Sequence, residues 1–440
     1  MLEEIQKKAD EIEQKIINYR RDFHKYAEYG WTEYRTSSLI AKRLEELRYD
    51  VKVGKEILSD KDRMGLPNKE VLEKCWQRAV EQGGDIKYLN KMKNGYTGVV
   101  GIIKNGKGPV RALRFDIDAL EIEESIDLNH FPAKEGFASV NKEAAHACGH
   151  DCHASTGLGI AEILADQKEN IKGTIKLIFQ PAEEGVRGAK SIVESGILDD
   201  VNTIIGHHVY NNWNLGEISS GISDYIATKK FDVTIYGKAA HAGGNPNGGN
   251  NALVAASTAI LNLYAIPRHK DGETRINVGK LYAGSGRNVI CDKVQMIMET
   301  RGANTEISEY MYNKAVKIIK SSSTMQDCSV EITQMGEAQS GKSDKELMDI
   351  VEKMALKIGG YTLLDIHKSG GSEDFTYMMS KIQKNGGYAV NIGIGAGKKN
   401  AGIAHSHNFD VDERAIKKAV ILLTTLILKY DLPPLFRTLS

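Results

Sequence analysis

The stretch TIKLIFQPAEEG (174–185) reads as a buried strand that runs directly into an acidic turn. IKLIF is a continuous apolar run of strand length, and Pro181 and Gly185 bracket the two glutamates that follow it. The same arrangement recurs on either side. VVGIIK (99–104) and VRALRFDIDAL (110–120) read as neighbouring strands, the second ending in Asp116 and Asp118. TIIGHHV (203–209) is a further short strand. Helical segments surround them, the first carrying Leu2, Ile5, Ala9, Ile12, Ile16 and Tyr19 at three- and four-residue spacing. This alternation predicts an α/β domain, a mixed sheet with helices on both faces. Loops at the carboxyl ends of such strands collect ligands. Residues 59–94 are polar and helix-like, which suggests an insertion.

The pattern changes near residue 224. KKFDVTIYG (229–237), a helix over 250–264, the strands RINVGKLYAG (275–284) and VQMIMETRG (294–302), a helix over 305–321 and VEIT (330–333) follow in turn. That is the β-α-β-β-α-β order of a ferredoxin-like α+β domain. The expected layout is therefore a discontinuous first domain over 1–223 and 338–440, with a smaller domain inserted at 224–337.

Composition narrows the class. Lys plus Arg and Asp plus Glu are 58 each, a zero formal charge that argues against a dedicated nucleic-acid binder. No run of about 18 apolar residues occurs, so no membrane span is expected. The charged start MLEEIQKKADEIEQKI lacks the apolar core of a secretory leader. Five cysteines, an odd number, do not suggest a disulfide framework, and a cytoplasmic location is the expectation.

Four motifs carry chemistry. HACGHDCH (146–153) gathers two cysteines, three histidines and an aspartate in a chain with 12 histidines. Cys148 and His150, two apart, can point the same way in extended backbone, and thiolate with imidazole suits a borderline divalent ion. In QPAEEG (180–185) neighbouring glutamates diverge, so one can bind a metal while the other acts as general base. GHHV (206–209) and AHSHNFDVDE (404–413) each offer a histidine pair. Singly, each has an ordinary structural explanation; four such sites after strands of one domain make a strong joint case for a metal centre. In the inserted domain, His241 lies in a Gly- and Asn-rich loop, and Arg287, Asn288 and Arg301 could bind a carboxylate or an oxyanion. Neither a dinucleotide fingerprint nor a G-x-S-x-G elbow is present.

The order DIDAL, HACGHDxH, QPAEEG, GHHV, GKAAHAGG, GxGRNVI, SEDF and a late histidine resembles the aminoacylase and carboxypeptidase G superfamily. Within it the chain is most similar to the amidohydrolase branch that contains auxin-conjugate and hippurate hydrolases. The resemblance implies a two-domain fold in which the inserted domain serves as lid and dimerisation domain. It implies two divalent metal ions, manganese before zinc, held by Cys148, His150, Glu184, His208 and His405. Cys148 would bridge them, Glu183 would be the general base, and Asp118 would orient the centre from behind. Asp116 stands where other branches place a histidine ligand and is left outside the ligand set. His241 would steady the oxyanion across a dimer interface, assisted by Asn288, with Arg301 a candidate for the substrate carboxylate. His207 and His407 leave the register open by one or two residues; His208 is taken because it precedes Val209, and His405 because it opens H-S-x-x-F-x-x-D-E. The expected activity is hydrolysis of an N-acyl amino acid amide, p-aminobenzoyl-glutamate first. An indole-acetyl-aspartate or hippurate-like conjugate is the alternative, and a metal-binding subunit that needs a partner is the second. The expected partners are a small-molecule substrate and either a second copy or a related second subunit.

Overall fold

The computed structural model describes residues 1–429. Its strands in chain order are β1 (Asp50–Val53), β2 (Val99–Asn105), β3 (Val110–Asp116), β4 (Gly173–Gln180), β5 (Thr203–Tyr210), β6 (Glu217–Ser219) and β7 (Ile222–Ser223). There follow β8 (Ala227–Tyr236), β9 (Thr274–Ala283), β10 (Lys293–Gly302), β11 (Ser329–Ala338), β12 (Thr362–Leu364), β13 (His367–Lys368) and β14 (Tyr388–Gly395). The chain divides into two compact units. One comprises Met1–Ser223, Lys342–Lys368 and the chain from Asp374 onward; the other comprises Asp224–Gly341 and Ser369–Glu373.

The first unit holds an eight-stranded sheet in the order β1-β2-β4-β3-β5-β14-β6-β12. β4, β3, β5 and β14 are mutually parallel at its centre, while β2 and β6 run antiparallel to their central neighbours. The pleat explains why these strands carry apolar residues on both faces. Leu113, Phe115, Leu177, Phe179 and Ile205 pack under the helices Leu2–Lys25, His150–Asp166 and Arg414–Lys429. The alternate residues Ala112, Ile178 and Ile204 pack on the opposite face with Ile192, Phe375 and Met378. Both faces are covered, so no polar alternation survives in the central strands. The helix His150–Asp166 lies close to the sheet at Gly157, where a Cβ would come within 2.5 Å of the Phe179 ring. The insertion forms two helices, Lys69–Glu81 and Ile86–Met92, each capped by its preceding Asn68 or Asp85 side chain. The helix His150–Asp166 begins directly after the left-handed Gly149, which acts as its cap.

The second unit is a four-stranded antiparallel sheet, β11-β8-β10-β9, with helices Ala252–Tyr264 and Thr305–Thr324. Phe231, Val233, Ile235, Met296 and Met298 meet Ala255, Ala259, Met311 and Ala315 in its core. The element order is that of a ferredoxin-like fold. No helix among the described residues is long and apolar enough to cross a membrane.

Candidate metal centre

The carboxyl ends of β3, β4 and β5 and the loop after β14 converge in the first unit. Cys148 and His150 come from the turn that opens the helix His150–Asp166. Gly149 between them has φ 91°, and a Cβ there would fall 2.5 Å from a Val209 methyl, so glycine alone lets this turn lie against β5. Cys148 Sγ is 3.4 Å from His208 Nε2. His150 Nε2 is 3.9 Å from Glu183 Oε2, and His405 Nε2 is 3.7 Å from Glu184 Oε1. Cys148, His150 and His208 form one group of ligand atoms within 4.8 Å; Cys148, Glu184 and His405 form another, and His150, Glu183 and Glu184 a third.

Backbone contacts fix the tautomers. His150 Nδ1 lies 2.9 Å from the Asp118 carbonyl and His208 Nδ1 2.8 Å from the Val209 carbonyl. A carbonyl only accepts, so each Nδ1 carries the proton and each Nε2 lone pair faces the cluster. The acidic turn is held from behind in the same way. The Asp118 carboxylate accepts the amides of Glu183 (3.1 Å) and Glu184 (2.9 Å), and Glu33 accepts that of Ala182 (2.8 Å). Ala182 and Val186 are both left-handed, at φ 53° and 60°, which bends the strand end sharply enough to present two successive carboxylates.

The donor set suits divalent cations. His150 Nε2 and Glu184 Oε1 are buried without a hydrogen-bond partner. Burial, with the charge of Glu184 next, pushes the Cys148 thiol well up, so a thiolate there calls for a nearby cation. Desolvation, then the neighbouring His153, holds His208 down at about 3, which keeps its imidazole neutral. Burial raises Glu184 above the usual carboxylate range, with Asp118 and Asp116 adding to the effect. Thiol, carboxylates and imidazoles crowded this way suit divalent transition metals.

The two open registers separate by where each side chain points. His208 faces Cys148, whereas His207 points to the other face, its ring 5.6 Å from Phe115. His405 faces Glu184; His407 lines a cavity elsewhere, beside Asn129, His130 and Lys398. Asp116 is occupied by Arg114 at 2.6 Å and by His153 Nδ1, while His153 Nε2 accepts the Val209 amide at 3.0 Å. Sequence reading missed Glu33, His153 and Arg114 as supports of the centre. It also missed Arg20, 1% exposed, which binds Asp151 (2.8 Å), Asp410 (2.7 Å) and Glu413 (3.1 Å). Arg20 sits on the helical face that otherwise reads as apolar, one turn beyond Ile16, and that misplacement was the available signal.

In the second unit His241 and Asn288 come together. Ala242 N–H donates to the Asn288 carbonyl at 2.9 Å, and His241 pairs with Val289 as a short bridge. His241 Nδ1 accepts the amides of Gly243 (3.1 Å) and Gly244 (2.9 Å), which leaves its Nε2 as an exposed N–H donor. Arg301, paired with Glu299 at 2.8 Å, stands at the other end of β10 and is not part of that loop pair.

The model of peptidase family M20/M25/M40 matches residues 112–429. The chain belongs to this family. M20 relatives match it from end to end: one of the subunits of the Escherichia coli p-aminobenzoyl-glutamate hydrolase is 38% identical over 98% of this chain and 99% of its own. The indole-3-acetyl-aspartic acid hydrolase of Enterobacter agglomerans is 40% identical over 94% and 95%. The crystal structure of an aminobenzoyl-glutamate utilization protein from Klebsiella pneumoniae superposes with a TM-score of 0.84 at 34% identity, covering 96% of this chain and 97% of that one. As an M20 protein the chain is a metal-dependent hydrolase of amide bonds, and the converging groups of the first unit are candidates to hold divalent metal.

Proposed function

We propose that this chain hydrolyses the amide bond of an N-acyl amino acid, p-aminobenzoyl-glutamate to p-aminobenzoate and glutamate. The observation that carries the reading is the convergence of Cys148, His150, Glu183, Glu184, His208 and His405, with His150 Nε2 and Glu184 Oε1 unpartnered inside it. In this reading Cys148, His150, Glu184, His208 and His405 would hold two metal ions, manganese before zinc. Metal bound there supplies Lewis-acid polarisation of the scissile carbonyl and a lowered pKa for the attacking water. Glu183 takes the proton of that water as it attacks and returns it to the departing amine. Asp118 and Glu33 keep Glu183 aimed by holding three successive backbone amides. His241, its Nδ1 already committed to two amides, offers Nε2–H across a dimer interface to the tetrahedral oxyanion in a second copy, and Asn288 lies beside it.

Both named relatives act on conjugates of an aromatic acid with an acidic amino acid, which supports that substrate class. β9 is an edge strand with Leu281 and Tyr282 exposed, and the helix Ala252–Tyr264 exposes Leu253, Leu261 and Tyr264. That open apolar edge supports assembly through the second unit, with a second copy or a related subunit. Five unpaired cysteines suit a reducing compartment such as the cytoplasm.

The test is glutamate release from p-aminobenzoyl-glutamate by the purified chain with manganese, with indole-acetyl-aspartate and an N-acetyl amino acid as controls. Chelator-sensitive release is expected. Turnover of a control alone would discard the substrate and keep the chemistry. Silence on all three would favour a chain that works only with a partner, in line with two relatives that are named as subunits of their hydrolases.

A further inference from the structure

Beside His208 the first unit carries an aromatic surface that the hydrolytic machinery does not use. Tyr210 is one step further along the same face of β5 as His208, at the strand's carboxyl end, with ring centroids 5.2 Å apart. Trp213 stacks on Tyr210 at 4.2 Å with an interplanar angle of 17°. His367, from β13, meets both rings edge-on at 5.3 and 5.1 Å.

The cluster is pinned. Gly393 of β14 is the register partner of His208, and a Cβ there would come within 2.4 Å of the Trp213 ring, so the indole lies directly on the β14 backbone. The Tyr210 carbonyl accepts the Ala396 amide at 2.9 Å, and the Trp213 carbonyl accepts that of Gly397 at 2.7 Å. All three side chains are nevertheless partly exposed, and among the described residues none joins a hydrophobic cluster of this unit. Rings this large, held rigid, outside the core and in contact with a metal-ligand candidate, have the form of a recognition surface.

We propose that Tyr210, Trp213 and His367 form the wall that receives the aromatic ring of the substrate's acyl group, making the chain selective for N-aroyl and arylacetyl amino acids over N-acetyl ones. This rests on the amidohydrolase reading above. The flat indole and phenol offer face and edge contacts to a second aryl ring, whereas an acetyl methyl covers little of them. Two substrates that share the amino-acid half and differ only in the acyl group therefore isolate the effect.

The test measures kcat/KM for N-benzoyl-glutamate and N-acetyl-glutamate with manganese in wild type, Trp213→Ala, Trp213→Leu and His367→Ala. Melting temperature and bound metal are recorded for each variant. The benzoyl-to-acetyl ratio is expected to fall about tenfold or more in both Trp213 variants, the size of a lost apolar subsite, and by less in His367→Ala. Trp213→Leu keeps apolar volume over Gly393, so it decides the matter if Trp213→Ala does not fold. A ratio within about twofold of wild type, in variants that fold, bind metal and turn over, would overturn the wall while leaving the amidohydrolase reading intact. A wild type that cleaves benzoyl-glutamate no better than acetyl-glutamate would also overturn it. If the metal-loaded wild type cleaves neither amide, the proposed activity of the lone chain falls in favour of one that works only with a partner, and the wall's role falls with it.

Discussion

Removing the Asp118 carboxylate tests whether the acidic turn owes its aim to the groups behind it. Asp118 is 1% exposed and accepts the amides of Glu183 at 3.1 Å and Glu184 at 2.9 Å, with His150 Nδ1 3.3 Å from the same carboxylate. Asp118→Ala strips both amides of their acceptor. A buried donor left unsatisfied costs about 1–3 kcal/mol, so the turn in its native shape would carry roughly 2–6 kcal/mol of penalty. Glu184 is only partly buried, so the turn can relax outward and the lower half of that range applies. Relaxation swings Glu184 away from Cys148 and His405, and the penalty then appears as lost metal affinity. At about 1.4 kcal/mol per decade, some 2–3 kcal/mol is roughly a 30- to 100-fold rise in the manganese dissociation constant. Asp118→Asn keeps one acceptor oxygen but turns an N–H toward the other amide, and a loss of about tenfold is expected. Competition against a calibrated chelator measures both. An alanine variant that binds manganese within about threefold of wild type would refute the reasoning, because the carboxylate would then be dispensable to the turn's geometry.

Glu183→Gln should bind metal normally yet lose at least about a hundredfold in kcat, since it removes the proton acceptor and leaves the ligand set intact; retained turnover would place the base elsewhere. Glu33→Ala should lower kcat about tenfold or more by freeing the Ala182 amide, while Glu33→Gln, which keeps an acceptor, should recover most of it; equal loss in both variants would contradict a positioning role. Burial alone would lower the pKa of His24, but Glu124 and Asp151 raise it from 6.5 to about 9. Its stabilising contribution is therefore complete below about pH 6.5 and lost as pH rises through about 9, worth on the order of 3 kcal/mol at most; denaturant midpoints of the metal-free protein should fall across that window in wild type and flatten in His24→Gln. Arg20→Ala leaves Asp151 and Asp410 buried with less compensation, at a cost of about 3–5 kcal/mol and a clear drop in melting temperature; a change under about 2 °C would mean the network is not rigid.

What the sequence disclosed and what it concealed divide along a physical line. The strands were legible because both sheet faces are covered, which places apolar residues at successive positions of VRALRFD, TIKLIFQ and TIIGHHV. The ligand loops were legible because metal-binding groups follow those strands at short range. The supports were not legible. Glu33 reaches Ala182 across 149 residues of chain, and in AEYGWTEYRTS it reads as one more polar residue before a helix. Nothing local marks it as fully buried, and only the fold reveals that its carboxyl, pushed up to about 8 by burial and the charge of Asp118, holds the amide of the residue before Glu183.

The same line explains Asp116. Two residues before Asp118 on a strand end, it looks equally suited to a metal, and its Oδ1 lies 3.8 Å from His150 Nε2. Its oxygens are nevertheless claimed: Arg114 takes one and His153 the other. Burial would raise its pKa, but His150, His153 and Arg114 overcome that and hold it well below the usual range. His153 then spends its remaining nitrogen on the Val209 amide, which locks β5 where it presents His208. Asp116 thus orders the strand that carries His208, and its own oxygens are already engaged. The glutamates differ in the same respect, because Asp118 and Glu33 bind the backbone amides of their turn and leave the Glu184 carboxylate open to a cation. Along these strand ends, whether a carboxylate can serve the metal is decided by which partner has already taken its oxygens, and that is a property of the fold rather than of the motif.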